Sequence, residues 1–415
     1  MPEPARQSKS ALAGVVVLDL SRVLAGPWAT QMLGDLGADV IKVERPGEGD
    51  DTRKWGPPFL SAADGSQAES AYYTSANRNK RSVAIDMATP EGAALIRDLA
   101  RTADVVVENF KTGGLKKYGL DYDSLAALNP RLVYCSITGF GQTGPAADRP
   151  GYDYMIQAMG GLMSITGRPD DEPGGEPMKS GVAVADLSTG LFACNAILAG
   201  LLHARATGEG QHIDMALFDV MAAMLANQAA NWFATGIAPG RVGNAHPNLV
   251  PYQVFATADG AMVLAVGNQG QYRTLCGVIG AEDLASDPRF LTNADRIAHR
   301  RDLVGLLAPI FTQRTTGEWM TALEAAGVPC GPINTVDQVF AEPQAVARGL
   351  MVEIDRPDLA NAIRMVRSPL RLSKTPPSLN RAPPALGADT DEVLAGRLNL
   401  SPEAIAALRA KRAIG

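Results

Sequence analysis

Asp186 stands in the segment GVAVADLSTG, just before a long apolar helix pattern that runs to about Arg205. A carboxylate with an ordinary pKa of about 3.9 is ionised at neutral pH and can attack an activated carbonyl without a separate base. The start of a helix would favour that anion through its dipole. The same position is also where an aspartate commonly serves as a plain N-cap. Other chemistries find less support. Cys135, Cys194, Cys276 and Cys330 are far apart and form neither a metal-binding nor a disulfide pattern. Dinucleotide binding needs three closely spaced glycines after the first strand, but SRVLAGPWAT offers only Gly26 beside Pro27. No Walker loop is present either.

The elements that must position Asp186 alternate. VVVLDL (Val15 to Leu20), ADVIKVE (Ala38 to Glu44), DVVVENF (Asp104 to Phe110) and RLVYCSI (Arg131 to Ile137) read as buried strands. Helix patterns lie between them. One begins at Thr89-Pro90-Glu91, with Thr as N-cap and Pro at the first helical position. Such alternation predicts a parallel, helix-covered, doubly wound sheet with its ligand at the carboxyl ends of the strands. Tyr252 to Val266 reads instead as two strands joined through Asp259-Gly260, a hairpin. The first part of the chain is therefore α/β, and the middle section reads as a smaller α+β domain.

The chain has 415 residues, 46% hydrophobic and 20% charged, with net charge -6. That length favours two domains. The slightly acidic balance argues against nucleic acid as a partner. The opening MPEPARQSKSALAG has no apolar segment of signal-peptide length. The most apolar helix candidate, Leu187 to His203, carries Ser188, Thr189 and Asn195 and is too short and mixed for a membrane span. The expectation is a cytoplasmic protein without a membrane or metal partner.

Several segments carry a family likeness. LDLSRVLAGPWATQMLGDLGADVIKVERPGEGDDTR, NRNKRSVAIDMATPEG, DVVVENF, GFGQTGP, GVAVADLSTG and GVPCGPINTVDQVFAEPQ resemble, in order, the class III CoA-transferases, kin of formyl-CoA and carnitine CoA-transferases. NAHPNLVPYQVF and VFAEPQ look nearest to members that move CoA among dicarboxylates such as succinate and glutarate. The resemblance implies an interlocked, ring-like homodimer whose large α/β domain is built from both termini, 1–216 and 331–415, while 217–330 supply a linker helix and a smaller α+β domain. It implies Asp186 as the nucleophile, forming a mixed anhydride and then an aspartyl-CoA thioester. The CoA thioester is a substrate, with no tightly bound cofactor. Ala25, Arg45, Ile85, Asn109, Phe110 and Lys117 match positions that line the CoA path.

Coenzyme A carries a 3'-phosphate and a pyrophosphate, which call for cations near strand ends. Arg45, Lys80, Arg81 and Lys117 lie in loops or at element ends. A dicarboxylate leaves one carboxylate free, and Arg22 or Arg168 is placed to hold it. His246 joins them, in the region where some members carry a mobile glycine-rich loop. Two other readings stay open. A 2-methylacyl-CoA racemase of the same fold needs two acid/base groups, and racemase relatives place a His before the Asp of GYDYMI, where this chain has Tyr152. A non-catalytic CoA-binding protein is the other.

Overall fold

The computed structural model describes residues 10–415; most of the polar opening segment lies outside them. The described chain is mixed α/β and divides into two compact units. The first holds the chain up to Gly161, Ser180–Ala229 and Gln344–Gly415; the second holds Leu162–Lys179 and Ala230–Pro343. The division therefore falls later than the expected limits of 217 and 331, and a detached piece before Asp186 joins the second unit.

In the first unit six parallel strands form one sheet: β1 (Val16–Asp19), β2 (Asp39–Glu44), β3 (Lys80–Ala84), β4 (Val105–Glu108), β5 (Val133–Thr138) and β6 (Gln211–Ala216). Their order is β3-β2-β1-β4-β5-β6. The order reverses between β1 and β4, and such a reversal opens a crevice at the carboxyl edge of a sheet. Val16 and Leu18 face one core, together with Ile41, Val83 and Val106. Leu95, Ile96 and Leu99 of α2 (Pro90–Ala100) cover that face. Thr89 caps α2 as the sequence predicts, accepting the Gly92 N–H at 3.0 Å.

The chain's end completes this unit. Val393 and Leu394 of α5 (Thr390–Leu398) and Ile405 of α6 (Pro402–Ala410) share the same core, and Ile414 bridges to Ile85. Two more helices, α1 (Ala25–Asp35) and α4 (Val184–Thr207), approach each other closely. Gly190 permits this, because a Cβ there would lie 2.8 Å from the Ala25 carbonyl oxygen. At 24 residues α4 outruns the 187–203 reading, and by length and composition alone it could cross a membrane. Half of its most apolar stretch is buried within the protein.

The second unit is α+β. The expected hairpin is present as β7 (Tyr252–Ala256) and β8 (Ala261–Ala265), joined by β9 (Cys330–Pro332) in an antiparallel sheet. Phe255, Tyr272, Phe311 and Trp319 fill its core. Buried Arg296 donates to the Val250 and Phe290 carbonyls and lies over the Tyr272 ring.

Candidate active site

The segments leaving β1, β4 and β5 meet over the order reversal and line a cleft of about 340 Å³. Arg22 and Asn109 join the first two segments. The Arg22 N–H donates to Asn109 Oδ1 at 3.0 Å, and Asn109 Nδ2 donates to the Arg22 carbonyl at 2.6 Å. Buried Glu108 accepts the Phe110 N–H at 2.7 Å, which fixes the turn after β4. Between Arg22 and α1, Val23 adopts φ 71°, which is costly for a β-branched residue. Asp50 holds it there by accepting its N–H through both oxygens, while buried Lys42 pairs with Asp50 at 2.9 Å. A second buried pair, Lys80–Asp19 at 3.1 Å, lies at the base of the same loop. Thr30 also donates to Asp19.

Asp186 enters the cleft from the first turn of α4. It is not the N-cap. That position is Ala183, which has no capping side chain. Asp153, the first residue of α3 (Asp153–Met159), supplies the cap instead. Its Oδ1 accepts the N–H groups of Ala185 at 2.8 Å and Asp186 at 3.2 Å. Its Oδ2 accepts Gln157 Nε2 at 2.6 Å.

The expected ready ionisation of Asp186 needs correction. Burial, and secondly the charge of Asp153, push its carboxyl up to about 7. Two of the amides that would favour an anion at this helix end are already engaged by Asp153, so the dipole does not prevail. Tyr72 senses the same carboxylates. Burial first, then Asp186 and Asp153, raise its hydroxyl above the ordinary value and keep it protonated. Its ring meets Trp55, which lines the cleft, edge to face at 5.4 Å.

The cleft brings together Asp186, Ala25, Asn109, Phe110 and Arg22. Arg45 follows β2 and pairs with Glu48 at 3.2 Å on the surface. Ile85 follows β3, but its side chain is enclosed in the core. Lys117 lies beyond Phe110 over the Tyr118 ring. None of these three lines the cleft. Lys80 and Arg81 are not available cations. They open β3 at its amino end, buried, and pair with Asp19 and Asp39. Arg168 and His246 belong to the second unit. Arg168 donates to the Pro173 carbonyl at 3.1 Å, and His246 Nδ1 accepts the Asn248 N–H at 3.0 Å.

Sequence reasoning missed Asp153 as a cap and overlooked Arg149, which also lines the cleft. A pair of glycines holds their segment in place. A Cβ on Gly139, just past β5, would lie 2.5 Å from Gly151 Cα, so Pro150-Gly151 packs directly on the strand exit. Two glycines in GFG and RPGYD were the available signal, but their contact is not readable along the chain.

The fold and site define a parallel-sheet protein with a carboxylate in its switch-point crevice and no nucleotide-loop glycines. The comparisons place the chain within a family. The model of CoA-transferase family III matches residues 12–390, and this chain belongs to that family and is a CoA-transferase. It is 55% identical to the succinate–glutarate CoA-transferase of Agrobacterium fabrum, over 93% of this chain and 96% of that protein. It is 44% identical to the human succinyl-CoA:glutarate CoA-transferase, over 96% of this chain and 88% of that protein. A crystal structure of a CAIB/BAIF family protein from Brucella suis superposes with TM-score 0.83 at 50% identity, covering 94% of this chain and all of that one.

Proposed function

We propose that this enzyme moves CoA from succinyl-CoA to glutarate or a similar dicarboxylate, through covalent intermediates on Asp186. The relatives' activities supply the substrates. The observation that carries the mechanism is a carboxylate facing the cleft whose oxygens accept no hydrogen bond among the described residues. Its lone pairs are therefore open to a thioester carbonyl.

In the first step an Asp186 oxygen bonds to the donor's carbonyl carbon, the C–S bond breaks, and CoA leaves as thiolate. The thiolate then attacks the Asp186 carbonyl and displaces the donor acid, leaving an aspartyl-CoA thioester. The acceptor carboxylate attacks that thioester and expels the thiolate again. Attack by the thiolate on the acceptor's acyl carbon yields the new acyl-CoA and restores Asp186. Each step exchanges one acyl bond for another, so no cofactor is consumed. A carboxyl near 7 means that partial protonation limits the first step at neutral pH.

Arg45 and Lys117 are assigned to the nucleotide end of CoA, and Ala25, Ile85, Asn109 and Phe110 to its pantetheine and adenine path, with Ile85 contributing by its place in the backbone. An interlocked homodimer, with the large domain built from both termini, completes the proposal. A racemase reading is weaker, because Tyr152 stands where racemase relatives place the His that serves as the second acid/base group. The test is incubation with succinyl-CoA followed by hydroxylamine trapping and peptide mass analysis. Modification at residue 186 and loss of glutarate-dependent turnover in Asp186→Ala are expected. No adduct, or undiminished turnover in that variant, refutes the assignment.

A further inference from the structure

Resting on the dicarboxylate reading, we propose that Arg149 is the specificity residue that binds the distal carboxylate of the acceptor. Three cations line the cleft with Asp186: Arg22, Lys111 and Arg149. Arg22 is already paired with Asp51 at 3.0 Å. Among the described residues, neither Lys111 nor Arg149 has a carboxylate partner.

Geometry separates these two. The Arg149 guanidinium lies over the Phe140 ring, 5.1 Å from its centroid, and reaches Met159 Sδ at 3.7 Å. Stacking of this kind restricts a guanidinium while leaving its in-plane N–H fork open. That fork matches a carboxylate in two parallel hydrogen bonds, which an ammonium cannot do. Lys111 instead stands where the cleft meets a neighbouring pocket of about 260 Å³.

Arg149 is also tied to the nucleophile. Four residues on, Asp153 holds the amide of Asp186. Between them, Pro150-Gly151 is packed against Gly139 at the end of β5. The cation and the reacting carboxyl thus share one braced segment. An acceptor with one carboxylate at Asp186 presents its second, still charged, to a guanidinium that no carboxylate among the described residues occupies. A monocarboxylate of equal length leaves that guanidinium without a partner.

The test is a competition. Wild type, Arg149→Gln, Arg149→Lys and Lys111→Met are each given one CoA donor with glutarate and pentanoate together, and the ratio of glutaryl-CoA to pentanoyl-CoA is read. The donor step is common to both products, so it cancels. Arg149→Gln is expected to lower the ratio on the order of 30-fold, about 2 kcal/mol at 1.36 kcal/mol per tenfold. Arg149→Lys keeps the charge without the fork and falls between. The adduct at Asp186 still forms in both. A general loosening of the segment would slow both products alike and leave the ratio in place. An unchanged ratio in Arg149→Gln or, should that variant not fold, in Arg149→Lys overturns the proposal, as does loss of preference in Lys111→Met alone. Absence of any adduct in the wild type would instead strike the underlying function.

Discussion

Replacing Asp153 by Asn tests what sets the reactivity of Asp186. The substitution keeps a carbonyl oxygen for the amides of Ala185 and Asp186, now at 2.8 and 3.2 Å, but removes the negative charge. Asp186 rises from 3.8 to about 7, with burial the larger cause and Asp153 the second. Loss of the second cause lowers the midpoint by less than half that rise, roughly 0.5–1.5 pH. A fall of about one unit raises the ionised fraction at pH 6 about fivefold and leaves it unchanged at pH 9. The assay is single-turnover formation of the Asp186 adduct from pH 5 to 9. The ratio of variant to parent at each pH cancels titration of the substrate. There is an opposing structural cost. The new amide N–H₂ faces Gln157 Nε2, now 2.6 Å from Asp153, and Gln157 cannot turn freely because its Oε1 accepts the Ser180 N–H at 2.8 Å. Two opposed donors lower stability by about 1–2 kcal/mol. A flat ratio, or a midpoint that moves upward, refutes the electrostatic account of Asp186.

Two further outcomes follow from buried charge. The native state holds the Asp186 proton more tightly than the unfolded chain, so this group's contribution to stability is full below about pH 4 and is lost as pH rises through about 7. Asp186→Asn escapes that loss. It is expected to unfold at a higher temperature than the parent at pH 8, by about 1–2 kcal/mol after screening through the open cleft, and to match it at pH 4; a gap that grows toward low pH contradicts the argument. Lys80 is driven down to about 8 by burial, against the charge of Asp19. Lys80→Met strands that carboxylate beneath the Val23 turn and costs about 3–5 kcal/mol, read in urea unfolding; a cost below about 1 kcal/mol would mean that the pair contributes little.

Much of this protein is legible along the chain, because the interactions concerned are local. Runs of Val, Ile and Leu named four of the six sheet strands, and Thr89-Pro90 marked a helix start. The absence of glycines after β1 excluded a dinucleotide loop, and the flanking motif singled out Asp186. β6 was harder, since an edge strand reading QHIDMA is half polar and lacks the buried-strand pattern. Lys80 and Arg81 looked like free cations, because a charge opening a short strand gives no sign that Asp19 and Asp39 lie across the sheet from it.

What tertiary structure alone decided is the environment of the reacting group. Asp153 and Asp186 are separated by 33 residues, and nothing in either segment announces that one caps the other's helix. Gly139 and Gly151 touch only because the loop after β5 folds back on itself. Charge, solvation and pKa depend on distances through space, while sequence patterns record only distances along the chain. The residue types therefore indicated which carboxyl could react, and the fold determined how readily it does so.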